Sequence, residues 1–421
     1  MNRIVALAAL LVLMLAACSP GGQTAKKFGE DELKKPLLDW KQDPDLATIL
    51  KQFPEIEGYE RDLQADKTRD DSAAFAKALE LAKLLTESKI DEGVIARAAS
   101  NSWQLEFTPE QAARILELTV EFAKSADDIA ARVAMAGAPL RQRMDAGVEV
   151  IPLTQWTGIA ELCMACHAAK GDIKTVVKEG RQAVAILNAL QYGGPMANLL
   201  AVKVALQFVL RCIGTLAVHA PAADAAALAG IVKDADGSIN FREANLRTMV
   251  SLVCDARMNM RKVLPLPSEA DFKKWLNERD EFVVVMLRRA ELAAKLPAEK
   301  LSAAASGKLL ALVEGISAKG DPFEAALAEA VGVLVKTTIE LKAHREMALF
   351  LVASRTASRD AALKDLQAAL KECGLKATDE AGIVRIDIAP ESPLAKIDRL
   401  KSADPIAESK YYTEKRAPLS K

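Results

Sequence analysis

The chain has 421 residues, 51% of them apolar and 5% aromatic, enough for two or three ordinary domains or one elongated helical array. Its 56 basic and 57 acidic residues nearly cancel, so no basic stripe argues for nucleic acid and no acidic tail for a disordered arm. Much of the apolar content is alanine and leucine, strong helix formers, while β-branched clusters at period 2 are scarce.

The N-terminus reads MNRIVALAALLVLMLAAC, with Arg3 followed by an unbroken apolar run from Ile4 to Ala17. A charged start and an apolar core are the parts of an export signal. The run ends in Leu15-Ala16-Ala17-Cys18, which resembles the lipobox of bacterial lipoproteins. That resemblance implies acylation of the Cys18 thiol and cleavage before it, which makes residues 1–17 a signal peptide. It also implies a cell-envelope location. Ser19, where an Asp would mean inner-membrane retention in Gram-negative lipoproteins, points to the outer membrane, facing the periplasm. Several acyl chains, at roughly 0.8 kcal/mol per buried methylene, hold far more firmly than one.

Residues 18–44 are polar and rich in Gly, Pro and Lys, and read as a flexible tether. From residue 45 to 373 the pattern is helical. Ser72 caps a helix with Phe75, Leu79, Ala82 and Leu85 on one face. Thr108, Pro109 and Gln111 spell a capping box, followed by a ladder of Ile115, Leu118, Phe122, Ala126, Ile129 and Val133 at spacings of three and four.

After Pro152 comes a helix ending at Gly171-Asp172, where Asp172 is placed to cap the next one. A stripe of Ile173, Val176, Val177, Gly180, Val184 and Leu187 follows. Residues 196–219 are apolar on nearly every side, long enough for a membrane span. Lys203, Gln207 and Arg211 lie inside that run and are costly at mid-bilayer, so it reads as a buried central helix.

Further helices are predicted over 240–263, 269–295, 299–317, 322–356 and 359–373. The 322–356 helix opens with Asp321 as a cap and Pro322 at N1, and Gly374 suits the C′ position after the last. Residues 374–421 change period: Val384, Ile386 and Ile388 alternate with Arg385 and Asp387, a short strand pairing through a turn near 379–382. The tail beyond Pro390 is polar and reads as loose. The expected fold is therefore all-α, stacked antiparallel helix pairs in an irregular array, with a short β element near the C-terminus. The pair 156–191 loosely resembles a tetratricopeptide unit, but no exact repeat period runs through the chain.

Two motifs carry chemistry. Cys163-Met164-Ala165-Cys166-His167 spells C-x-x-C-H. Over about ten residues it resembles the haem attachment site of c-type cytochromes. That resemblance implies thioether bonds at Cys163 and Cys166 and His167 as proximal ligand. Met196 is the best candidate for a second ligand, and His219 and His344 are the other histidines. The competing reading is packing. Ile159, Leu162, Cys163 and Cys166 share one helix face, with Trp156 and His167 on its margin, and cysteine is a good small core residue. A third reading, a redox-active thiol pair, lacks the βαβ context of thioredoxin-like motifs.

The second motif is VKDADGSINFREA. It places Asp234, Asp236, Gly237, Ile239, Asn240 and Glu243 at positions 3, 5, 6, 8, 9 and 12 of an EF-hand loop, but Val232 stands where the first carboxylate belongs. The alternative is a turn leading to a helix capped near Ser238 or Asn240, and no metal is expected.

Signatures of metalloproteases, α/β-hydrolases, P-loops and dinucleotide folds are absent. The lipobox, the paired Ala/Leu-rich helices and the strand-forming end together resemble uncharacterised helical lipoproteins of some bacterial envelopes. The resemblance implies a non-enzymatic, lipid-anchored binding or scaffold protein with a protein or envelope partner and no cofactor. The alternative is a lipid-anchored monohaem electron-transfer protein.

Overall fold

The computed structural model describes residues 44–66, 108–136, 150–190, 196–250 except 236, 279–306, 309, 312–313, 315, 322–396 and 405–413. Cys18, the tether and the helix expected from Ser72 lie outside the described residues. The fold is all-α with a small three-stranded antiparallel sheet near the C-terminus.

In chain order the first helices are α1 (Pro44–Gln52), α2 (Glu55–Asp66), α3 (Pro109–Leu118) and α4 (Val120–Ala136). Next come α5 (Val150–Ala169), α6 (Ile173–Leu190), α7 (Met196–His219) and α8 (Ala222–Asp234). Helical residues 241–250 form α9, before α10 (Arg279–Lys295), α11 (Pro322–Thr356) and α12 (Arg359–Lys371). The sheet is β1 (Leu375–Glu380), β2 (Ile383–Ile388) and β3 (Ala407–Glu408), followed by a helical turn, α13 (Lys410–Thr413).

Caps set the helix boundaries. Thr108 accepts from the Gln111 amide at 3.2 Å while the Gln111 side chain accepts from the Thr108 amide at 2.9 Å, the reciprocal pair the sequence predicts. The ladder expected as one helix divides at Thr119. Thr119 leaves the helical backbone region there, at φ −99° and ψ 9°, while its amide and its hydroxyl both bond to the Ile115 carbonyl at 3.0 Å.

At the end of α5, Gly171 has φ +73°, the Asp172 amide bonds to the His167 carbonyl at 2.9 Å and the Gly171 amide to the Ala168 carbonyl at 2.9 Å. That is a Schellman closure, which requires the left-handed residue to be glycine at little cost. Asp172 then caps α6, accepting from the Thr175 amide at 3.2 Å and its hydroxyl at 2.7 Å.

α7 is the centre: α5, α6, α8 and α11 all pack against it. Among the described residues one helical stretch, Leu199–His219, is long and apolar enough to cross a bilayer, and 78% of that window is buried inside the fold. Its polar residues explain why. Lys203 reaches the Ser238 carbonyl at 3.4 Å, Gln207 donates to the Thr337 carbonyl at 3.0 Å, and Arg211 meets His344. Spaced four residues apart, they stitch one stripe of α7 to α11 and to the turn after α8. Arg355 from α11 closes α7, donating to the carbonyls of Ala217 and Ala220.

The β-hairpin turns on Ala381 (φ +52°) and Gly382 (φ +82°), two consecutive positive-φ residues, as a tight two-residue connection demands. Val384 and Ile386 face inward; Ile388 is half-buried. One apolar core runs from the 331–351 segment of α11 through Leu366 and Leu370 of α12 to Val384, Ile386, Ala407 and Tyr412, so the sheet shares its core with the helices. Residues 405–413 depart from the loose tail expected beyond Pro390. β3 pairs with β2, and Tyr412 is buried because it lies in a notch beside Gly214.

Candidate functional site

The C-x-x-C-H motif occupies the last two turns of α5. Where the sequence reads an amphipathic stripe, α5 is buried on every side from Trp156 to Cys166, since α3, α6 and α7 surround it. Cys163 is 3% exposed and Cys166 0%, and both are reduced. The Cys163 thiol donates to the hydroxyl of Thr119, the residue at the α3–α4 junction, at 3.4 Å. Burial, with the Glu179 carboxylate nearby, pushes the Cys163 thiol up to about 12, and burial raises Cys166 further still. Neither is a thiolate nucleophile at neutral pH.

His167 is half-buried at the helix end. Its Nδ1 lies 3.6 Å from Asp172 Oδ2 and its Nε2 3.4 Å from Glu179 Oε1, so the imidazole bridges the two helices of the hairpin. Met196 is the first residue of α7, and its side chain lies outside the described set.

A haem on this motif would need both thiols and the imidazole turned to one open apolar face. As packed, the residues do not fit that group: the thiols are enclosed by Thr119, Ile159, Leu162 and their neighbours, and both ring nitrogens are directed at carboxylates.

The EF-hand-like segment is a turn between helices. Asn240 accepts from the Glu243 amide at 2.9 Å as the cap of α9, and its Nδ2 donates to the Ala298 carbonyl at 2.8 Å. Glu243, at loop position 12, pairs with Arg247 at 2.9 Å, and Val232 is buried in the core. Asp236 lies outside the described residues. Among the described residues no group of three or more His, Cys, Asp or Glu side chains is arranged to hold a metal ion.

A second buried polar constellation joins α7, α11 and α13. His344, on α11, is 1% exposed. Its Nε2 faces Arg211 Nη2 of α7, and its Nδ1 lies 2.9 Å from the Tyr412 hydroxyl. Because the guanidinium can only donate, Nε2 accepts, which puts the proton on Nδ1 and directs it to Tyr412. The Tyr412 hydroxyl in turn reaches the His344 carbonyl at 3.4 Å. Burial and then the Arg211 charge hold His344 well below the ordinary imidazole value, so it is neutral.

The Arg211 charge also acts on Glu161 of α5, which is 3% exposed and has Oε1 unpartnered. Burial raises its carboxyl well above the usual range, and Arg211 pulls it back. Side chains from three other elements, α5, α11 and α13, thus gather around Arg211 of α7. The sequence reading flags Arg211 as a charge within an apolar run and His344 as a spare histidine, but nothing local joins them to Tyr412.

Compared with known proteins, the chain matches no family model, no curated protein and no solved structure.

Proposed function

We propose that the chain is a lipid-anchored, envelope-facing helical binding or scaffold protein, held at the outer membrane by acylated Cys18 and presenting its helices to a protein or envelope partner. The observation that carries this reading is Leu15-Ala16-Ala17-Cys18 at the close of an apolar run, ahead of the polar tether and the helical chain. The all-α fold supports it, since packed helices offer broad faces to a partner. The packing of Cys163 and Cys166 into the α5 core supports a structural use of the C-x-x-C-H motif, without a cofactor. Residues whose chemistry would serve catalysis elsewhere are engaged in holding helices together here, His344 and Arg211 above all.

The spelling of the motif keeps one rival in play, the monohaem electron carrier attached through Cys163 and Cys166 with His167 as ligand and Met196 opposite. One experiment separates the two. The chain is expressed with its export signal beside haem-maturation machinery, and the visible spectrum and intact mass are recorded. The expected result is a colourless protein whose mass gain is that of lipid on Cys18, lost in Cys18→Ala. A Soret band with the mass of one haem, abolished by replacing both cysteines, would put the cytochrome in first place.

A further inference from the structure

The C-terminal segment is woven into the fold by contacts of two kinds. Residues 406–409 add a strand: the Ile406 amide bonds to the Ile386 carbonyl at 2.9 Å, the Ser409 amide to the Val384 carbonyl at 2.8 Å, and Arg385 holds Glu408 at 2.7 Å. Tyr412 then enters the α7–α11 seam. A Cβ at Gly214 would lie 2.9 Å from the Tyr412 ring and 2.9 Å from Ala348, so the glycine is the floor of the notch that admits the ring. At the bottom of that notch the Arg211–His344–Tyr412 chain ties the ring to both helices.

We propose that residues 406–413 form an acid-releasable latch, kept closed by His344 accepting a hydrogen bond from Arg211 while donating one to Tyr412. The chain works only with a neutral imidazole. A proton on Nε2 would set a donor against the Arg211 donors, and a second positive charge against the guanidinium, in a site from which water is excluded. Releasing Tyr412 lets the imidazole swing toward water.

The charged and titratable groups around this position fit that assignment. Arg211 comes from α7 and Tyr412 from α13, and the Arg211 charge also acts on Glu161 of α5. On α11 itself Lys342 and Glu346 pair with each other at 2.7 Å and Arg345 donates to the Lys233 carbonyl of α8. Glu408 of β3 is taken by Arg385.

The closed state binds its proton more weakly than the open one, because burial and Arg211 both oppose the charge. Closure is therefore complete above the ordinary histidine value of about 6.5 and is lost as pH falls below it, about tenfold per pH unit until the closed-state value is reached.

Hydrogen exchange of the full chain, read by mass spectrometry at pH 7.5 and 5.5 and corrected for intrinsic rates, tests it. Protection of amides 406–413 should fall about tenfold at pH 5.5 while α6 keeps its protection. His344→Gln, which offers an acceptor and a donor but no titration, should remove the acid loss. Equal protection at both pH values would overturn the latch, and so would an acid loss that persists in His344→Gln.

Should the Gln variant not fold, the wild-type protein still decides. It has three histidines, so their ring-carbon resonances can be followed individually. His344 titrating well below the ordinary histidine value, in step with release of 406–413, supports the latch. His344 titrating near 6.5 with the segment still protected overturns it.

Discussion

The turn of the α5–α6 hairpin gathers polar groups at its rim, whereas the α7–α11 seam carries them through the middle of the molecule. In the hairpin, His167, Asp172 and Glu179 gather where the turn meets water, and the cysteines behind them pack as apolar groups. In the seam, Gln207 and Arg211 each find a partner on α11, and Lys203 beside them reaches the Ser238 carbonyl in the turn after α8. A polar group at a rim can exchange a lost partner for water. One in the seam cannot, so it fixes the register of the helices it joins and makes each member expensive to remove. The two histidines differ for this reason: His167 carries the recognisable motif, and His344 carries the structural consequence.

The sharpest way to break the comparison is His344→Ala. It leaves the half-buried Arg211 guanidinium without its acceptor and the Tyr412 hydroxyl with only the backbone carbonyl of residue 344, and it opens a cavity between α7 and α11. Lost bonds and cavity together should cost about 3 kcal/mol. Urea unfolding followed by circular dichroism would report it. A cost under about 1 kcal/mol would mean that the seam repacks as easily as the rim.

Gly214→Ala probes the same seam through shape alone. The added methyl meets Ala348 and the Tyr412 ring at 2.9 Å, closer than side chains tolerate, while the polar chain is untouched. Overpacking of this kind costs about 1–3 kcal/mol. Most of it should disappear in a Gly214→Ala, Tyr412→Ala double variant, a non-additivity that unfolding midpoints would show directly.

How much of this was legible in the chain follows the same divide. Features set by a few neighbouring residues could be read: the Thr108 capping box, the Gly171-Asp172 junction, the Asn240 cap and the 383–388 strand. Burial of 196–219 could also be inferred, because charges within an apolar run exclude a lipid setting. Partners could not. Arg211, His344 and Tyr412 are separated by 133 and 68 positions, and no periodicity links them. Two signals did point there: a glycine in the interior of a helix and a tyrosine in an otherwise polar tail. The burial of α5 on every side was hidden for a similar reason, since Glu161 and Thr157 mark a polar face in sequence that α7 and α3 cover in space.

A third change sharpens the contrast through pH. Glu161 is buried with its carboxyl raised well above the usual range by desolvation, so the folded state prefers it protonated. Its contribution is fully present below the ordinary carboxyl value and is lost as pH rises through the raised folded value, opposite in sign to His344. Glu161→Gln keeps the neutral shape at every pH. It should match the wild type in acid and exceed it by about 1–2 kcal/mol at pH 8, the scale of an uncompensated buried polar group. Equal pH slopes in melting curves of the two proteins would show that Arg211 fully compensates the charge.

The smallest expected effects lie at the motif itself, and their order carries the meaning. Cys163→Ala removes a sulfur from a closed site and frees the Thr119 hydroxyl of its thiol donor. A small core truncation of this kind costs about 1 kcal/mol. His167→Ala removes an imidazole that touches two carboxylates at 3.4 and 3.6 Å, at the edge of water. Its backbone carbonyl, which accepts from Asp172 in the helix closure, is retained, so the turn survives. Exposed ion contacts contribute about 0.2–1 kcal/mol, and this variant should fall at the low end. A cysteine that matters more than the histidine is what packing demands. A haem ligand demands the reverse, because losing the proximal imidazole disrupts the holoprotein while one thioether still tethers the ring. Measured on protein matured in a haem-attaching host, the ranking of these two variants decides the question without reference to colour, and a His167→Ala loss several times that of Cys163→Ala would overturn the structural reading of the motif.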